Sequence, residues 1–127
     1  MNAKIIAIIL LSVVVAVMLV AWVAVRQSVP SKFDDFARCL KEKGAVFYGA
    51  FWCPHCNDQK KLFGTAKRLL PYVECSTPDG KSQRAVCAEK NIAGYPEWHF
   101  ADGAKENGLV SLARLAEKTG CILPAEE

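Results

Sequence analysis

Two cysteines three residues apart, Cys53 and Cys56 in Phe51-Trp52-Cys53-Pro54-His55-Cys56, have the type and spacing to do chemistry. A thiolate attacks sulfur, and a second thiol one helical turn away can displace what the first has bound. Such exchange needs no cofactor beyond the redox-active disulfide Cys53–Cys56 itself. A zinc site uses the same spacing but needs two further ligands. There is no second Cys-x-x-Cys and His99 is the only other histidine, so no metal is expected. An inert structural disulfide is the remaining alternative, and the flanking residues argue against it. Ala45 to Ala50 is apolar and β-prone, and a buried strand is expected over 45–51. Leu62, Phe63, Ala66, Leu69 and Leu70 recur at helical spacing, so a helix is expected over 54–70, with Gly64 as a bend and Pro71 as its end. Cys53 then stands at the helix N-terminus, where unpaired N–H groups and the macrodipole stabilise a thiolate. Pro54 suits the first helical position. Cys53 is read as the more exposed, attacking sulfur, Cys56 as the buried resolving one, and a protonated His55 as a further support for the Cys53 thiolate.

The elements that position this pair occupy only part of the chain. Its 127 residues allow one domain. Ile5 to Val25 is 21 residues without a charge, long enough to span about 31 Å as a helix, the thickness of a hydrocarbon core. Trp22 stands near one end, where an interfacial aromatic belongs. A cleaved signal peptide is the rival reading, but its apolar region runs to only ~7–15 residues, and no clean Ala-x-Ala site follows. The expected division is a transmembrane anchor at 1–26, a linker at 27–31 and a folded domain at 32–127. Positive charge beside the span is nearly balanced and does not orient it. Six cysteines, a dense and even number, suit an oxidising compartment. The N-terminus is therefore expected in the cytoplasm and the domain outside the cell membrane. Beyond Gln27 there are 14 basic and 13 acidic residues, scattered, so no nucleic-acid partner is expected.

Within the domain the pattern predicts a helix from Pro30 or Ser31 to Lys43, with Phe33, Phe36, Ala37 and Leu40 on one face and Gly44 past its end. After the strand and active-site helix come a short parallel strand at Pro71–Cys75 and a turn cluster at Ser76–Lys81. A helix over Ser82–Asn91 follows, then a strand from Pro96 to Phe100. Asp102-Gly103 signals a hairpin, Ala104–Val110 the returning strand, and Ser111 the cap of a last helix closed by Gly120.

Helix, strand, helix, strand, helix, strand, strand, helix is the thioredoxin order. Trp52-Cys53-Pro54-His55-Cys56 and Gly94-Tyr95-Pro96 strengthen the resemblance. It implies an α/β fold, a central mixed sheet flanked by helices, preceded here by one transmembrane helix. It also implies that Pro96 is cis and faces the dithiol, with Trp52, Pro54 and Tyr95 lining a substrate groove. Phe33 to Cys121 more specifically resembles the thioredoxin-like domain that is fused to, or partners, bacterial vitamin K epoxide reductase homologues. The carrying stretches are Phe47 to Cys56, Tyr72 to Gly80, Gly94 to Pro96 and Leu115 to Cys121. In that family the domain exchanges disulfides with the membrane reductase and with cysteine-containing secreted proteins. This chain departs by carrying one span instead of the helical bundle, which implies that the quinone-reducing part is a separate protein or absent. Four cysteines remain, allowing three pairings. Cys75 and Cys87 flank the turn cluster; pairing them leaves Cys39 with Cys121, and free buried thiols are the alternative.

Two features tilt the direction toward disulfide donation. Pro-His is the dipeptide of DsbA, a strong oxidant near −120 mV. Many thioredoxins keep a buried carboxylate six residues before the first cysteine; here that residue is Phe47. A reductase of the cytochrome-maturation kind, or a non-catalytic module holding unfolded chains in the groove, are the competing readings.

Overall fold

A computed structural model describes residues 2–28 and 30–125, with Gln27 and Ser28 described by backbone alone. The chain divides into two compact units, Met1–Pro30 and Ser31–Glu127. The first unit is one helix, α1 (Ala3–Ser28). Its Ala3–Arg26 portion is long and apolar enough to cross a membrane, as an anchor or a signal sequence would be. The helix includes Gln27 and Ser28, the first two residues of the expected linker; Val29 of that linker lies outside the described residues.

The second unit holds a four-stranded mixed sheet. Its strands are β1 (Val46–Gly49), β2 (Tyr72–Glu74), β3 (Glu97–His99) and β4 (Lys105–Asn107), in the order β2-β1-β3-β4. β1 runs parallel to β2 and antiparallel to β3, and β3 is antiparallel to β4. The helices are α2 (Asp34–Glu42), α3 (Pro54–Lys61), α4 (Ala85–Ala88) and α5 (Leu112–Thr119). The architecture is thioredoxin-like: a mixed sheet flanked by helices. Its main core joins Phe36 and Leu40 of α2, Phe47 of β1, Phe63, Trp98 of β3 and Leu115 of α5, all fully or almost fully buried. Phe47 stacks on Trp98 with ring centroids 4.9 Å apart, and Phe36 on Phe63 at 5.9 Å.

Several elements are shorter than the sequence pattern predicts. The helix expected over 54–70 ends at Lys61. Gly64 takes a left-handed φ of +54°, and Gly64–Leu69 continues as a 3-10 helix. Phe63, Ala66 and Leu70 still reach the core. Burial, not α-helical bonding, therefore accounts for that stretch of apolar periodicity. The helix expected from Pro30 or Ser31, α2, begins at Asp34, because Lys32 and Phe33 form a turn. The helix expected over 82–91 is reduced to α4. Ser76 and Gln83 form an isolated antiparallel bridge and the Arg84 N–H donates to the Cys75 carbonyl, so the chain reaches Ala85 extended. The strand expected over 104–110 ends at Asn107, where Gly108 turns at φ +83° and its N–H donates to Pro96 O.

Candidate active site

β1 ends at Gly49, and the turn Phe51-Trp52 delivers Cys53 to the N-cap of α3. Cys53 has extended dihedrals there, and its sulfur accepts the Cys56 backbone N–H at 3.3 Å. Pro54 occupies the first turn without wasting a donor. The two cysteines are free thiols. Cys53 retains 5 % exposure and Cys56 none. Cys53 is thus the more accessible sulfur, but both are buried. On the far side, Cys53 Sγ lies 3.7 Å from the carbonyl oxygen of Tyr95, whose bond to Pro96 is cis. The loop before β3 therefore meets the dithiol directly.

The environment treats the two sulfurs differently. Burial first, then the contact with Cys53, pushes the Cys56 thiol up to about 12, while the Ala50 backbone and Lys60 oppose the shift. A thiol so placed is a poor nucleophile until something takes its proton. His55 stands exposed on α3. Its charge acts on Asp58, whose carboxyl lies below the usual range chiefly through Lys61 and only lastly through His55. Among the described residues, no hydrogen bond joins His55 to Cys53.

Beside the dithiol lies a cleft of about 200 Å³ lined by Trp52, Ser76, Gly80, Gln83 and Tyr95 among others. Trp52 is half exposed; its Nε1 donates to Ser76 Oγ at 2.9 Å, and its ring meets Tyr95 edge-on at 6.0 Å. Gln83 Nε2 donates to the Tyr95 hydroxyl at 3.0 Å and to the Ile92 carbonyl at 2.9 Å. One wall of the cleft is therefore the segment between Cys75 and Cys87, which are joined by a disulfide; a second disulfide joins Cys39 to Cys121.

The fold gathers Trp52, Cys53, Cys56, Tyr95 and Pro96 at one end of the sheet, with Pro54 and His55 on the exposed side of the helix start. Cys39 and Cys121 lie apart and act as a clamp. Sequence reasoning passed over three residues. Gln59 is fully buried on α3; it donates to the Val110 carbonyl at 2.9 Å and accepts the Val110 N–H at 2.8 Å. On β2, Tyr72 borders Cys56 beside Gly49, and Glu74 accepts the Phe51 N–H of the active-site turn. Their spacing of two on a strand was the available signal, but it has meaning only once β2 is known to lie against β1, with Glu74 opposite Gly49.

Comparison with known proteins agrees with this geometry. The chain is 36% identical over 138 aligned residues to thiol-disulfide oxidoreductase LTO1 of Arabidopsis thaliana, covering 89% of the chain and 36% of that protein. It is 30% identical to protein disulfide-isomerase erp38 of Neurospora crassa over 110 residues, 76% of the chain and 30% of that protein. Sulfhydryl oxidase 1 of Rattus norvegicus matches at 33% over 64% of the chain and 10% of that protein. These are proteins of thiol–disulfide chemistry. The chain spans about a third of the length of the first two relatives. No protein-family profile matches it.

Proposed function

We propose that the chain is a membrane-tethered thiol–disulfide oxidoreductase that donates disulfides to cysteine-containing proteins outside the cytoplasm. The observation that carries the exchange chemistry is the free Cys53–Cys56 pair at the start of α3, with Cys53 Sγ held by the Cys56 N–H. In the donating direction a substrate thiolate attacks Cys53 Sγ of the disulfide and Cys56 leaves. A second substrate thiolate then attacks the substrate sulfur of the mixed disulfide, and Cys53 leaves as thiolate. Two electrons and two protons pass from substrate to the Cys53–Cys56 pair. A vitamin K epoxide reductase-like membrane oxidase then restores the disulfide. The sequence resemblance supports that partner, and the apolar helix α1 supports tethering. Trp52 and Tyr95 supply the substrate face, with Pro54 and His55 at its rim; Pro96 is fully buried behind it and acts by placing the Tyr95 carbonyl against Cys53.

A second reading, a membrane-tethered reductase, has one observation in its favour. Phe47 leaves β1 without a carboxylate, yet Glu74 brings one to the same region from β2. The redox potential of the full chain in detergent micelles separates the two. A value well above thioredoxin's ≈ −270 mV, with oxidation of a reduced substrate faster than insulin reduction, supports donation. A value near that of thioredoxin overturns it in favour of the reductase. A Cys53→Ser chain that still promotes substrate folding unchanged overturns both and leaves a binding module.

A further inference from the structure

Tyr72 on β2 is held by three neighbours. Lys60 Nζ stands 3.5 Å above its ring, Phe47 meets it edge-on at 5.1 Å, and its hydroxyl donates to Glu74 Oε2 at 2.7 Å. The other oxygen of Glu74 accepts the Phe51 N–H at 3.2 Å and the Ser76 N–H at 2.9 Å. The carboxylate is therefore held in part by the active-site turn. Tyr72 Cε2, the ring carbon next to the one bearing the hydroxyl, and Cys56 Sγ each lie 2.9 Å from where a Cβ on Gly49 would stand. The hydroxyl edge of Tyr72 and the deeper sulfur therefore border the same space, the one that a side chain at residue 49 would fill. A cleft of about 670 Å³ lined by Asn57, Lys60, Lys61, Lys67 and Tyr72 opens this ring to solvent.

We propose that Tyr72 and Glu74 form a proton relay for Cys56, standing in for the carboxylate that β1 lacks at Phe47. The proposal rests on the oxidoreductase reading above. When Cys56 resolves a mixed disulfide, its proton passes to the Tyr72 oxygen as the Tyr72 proton passes to Glu74 Oε2. The Cys56 thiolate then bonds to Cys53 Sγ, the bond from Cys53 to the substrate sulfur breaks, and the substrate leaves as a thiolate. The cysteine pair is oxidised and the substrate sulfur reduced. In the donating direction the same relay returns a proton to Cys56 as it leaves. Burial first, then the bond to Glu74, hold the Tyr72 hydroxyl above the usual tyrosine range, so it passes protons as a neutral phenol. The titratable groups acting on Cys56 are Cys53 and Lys60 of α3; from β2, Tyr72 borders it beside Gly49 of β1 and carries Glu74 on its hydroxyl.

Stopped-flow reaction of the reduced full chain with an aromatic disulfide reagent reads two steps. The first chromophoric thiolate is released when Cys53 attacks, the second when Cys56 resolves, and Cys56→Ser assigns the second by abolishing it. Tyr72→Phe and Glu74→Gln are each expected to slow the second release roughly ten- to a hundredfold at neutral pH, move its pH profile to higher pH, and leave the first release unchanged. Tyr72→Phe keeps the hydrogen bonds of Glu74 to the turn, so it separates relay from scaffold. Unchanged second release in both variants overturns the relay, and so does equal slowing of both steps. Failure of the donor reading would appear in the redox potential and not in the ratio of these two rates.

Discussion

The dithiol and the two disulfides use the same residue in opposite ways. Cys53 sits at a helix start, 5 % exposed, with its sulfur turned toward a backbone N–H and a loop carbonyl. Cys75 and Cys87 are fully buried and join the end of β2 to α4 across a separation of 12 residues. Cys39 and Cys121 join α2 to the segment after α5 across 82. The difference lies in what surrounds the sulfur. A sulfur at the positive end of a helix can exchange as a stabilised thiolate; Cys75 and Cys87 are enclosed by core, while the partly exposed Cys39 and its partner Cys121 lack a helix start to stabilise a thiolate.

The sharpest test of that contrast removes the exchanging sulfurs. Cys53→Ser is expected to lower exchange activity by roughly a thousandfold or more, as loss of a nucleophile does. Cys56→Ser is expected to accumulate a mixed disulfide through Cys53, visible on non-reducing gels. Rapid, complete turnover in either variant would break the comparison. Removal of the clamps is expected to cost stability and not chemistry. On the chain-entropy account Cys39→Ser with Cys121→Ser loses about 4.5 kcal/mol and Cys75→Ser with Cys87→Ser about 3 kcal/mol, measurable by urea unfolding of the full chain in micelles. The second change also loosens the wall that holds Trp52 and Tyr95, so it alone is expected to raise the apparent KM for a protein substrate.

Two pH effects follow in decreasing size. In the reduced protein, the fold raises Cys56 from an ordinary 9.0 to about 12. It therefore favours the protonated thiol, a stabilisation fully present below pH 9.0 and lost as pH rises toward about 12. The oxidised protein has no such titration. Alkaline unfolding curves of the two forms should diverge above pH 9.0, and parallel curves would contradict the assignment. At the other extreme, Asp34 is buried and receives Arg68 at 2.9 and 2.6 Å. The hydrogen bond from Arg68 is the largest influence holding its carboxyl below the ordinary 3.8. The stabilisation is present above 3.8 and lost as pH falls toward the lower folded value. Asp34→Asn should flatten that acid limb of the stability curve while leaving exchange activity intact.

The placement of the cysteine pair was legible because its signals are local. Cys-Pro-His-Cys after an apolar run places a dithiol at a strand-to-helix junction without any tertiary knowledge. The Tyr72–Glu74 pair was not legible, because a carboxylate was sought on β1, where Phe47 stands. The carboxylate that bonds the active-site turn belongs to the neighbouring strand, and only register brings it there. Element lengths failed for a related reason. Apolar periodicity over 54–70 reports which side chains are buried, and a 3-10 helix after a left-handed glycine buries Phe63, Ala66 and Leu70 as well as an α-helix does. Gln59 was invisible because a polar residue on an otherwise polar helix gives no sign that its amide fits one backbone unit of residue 110.

The three cysteine pairs are nested: 53 with 56 and 75 with 87 both fall inside 39 with 121. For a chain emerging N-terminus first, this sets an order of events. Each inner cysteine meets its own partner within a dozen residues, where closure is fast and entropically cheap. Cys39 appears before all of them and must wait for the last. Until residue 121 arrives, four foreign sulfurs pass it, two of them built for exchange. The outermost bond is therefore a completion signal: it closes only on a chain that has emerged as far as Cys121.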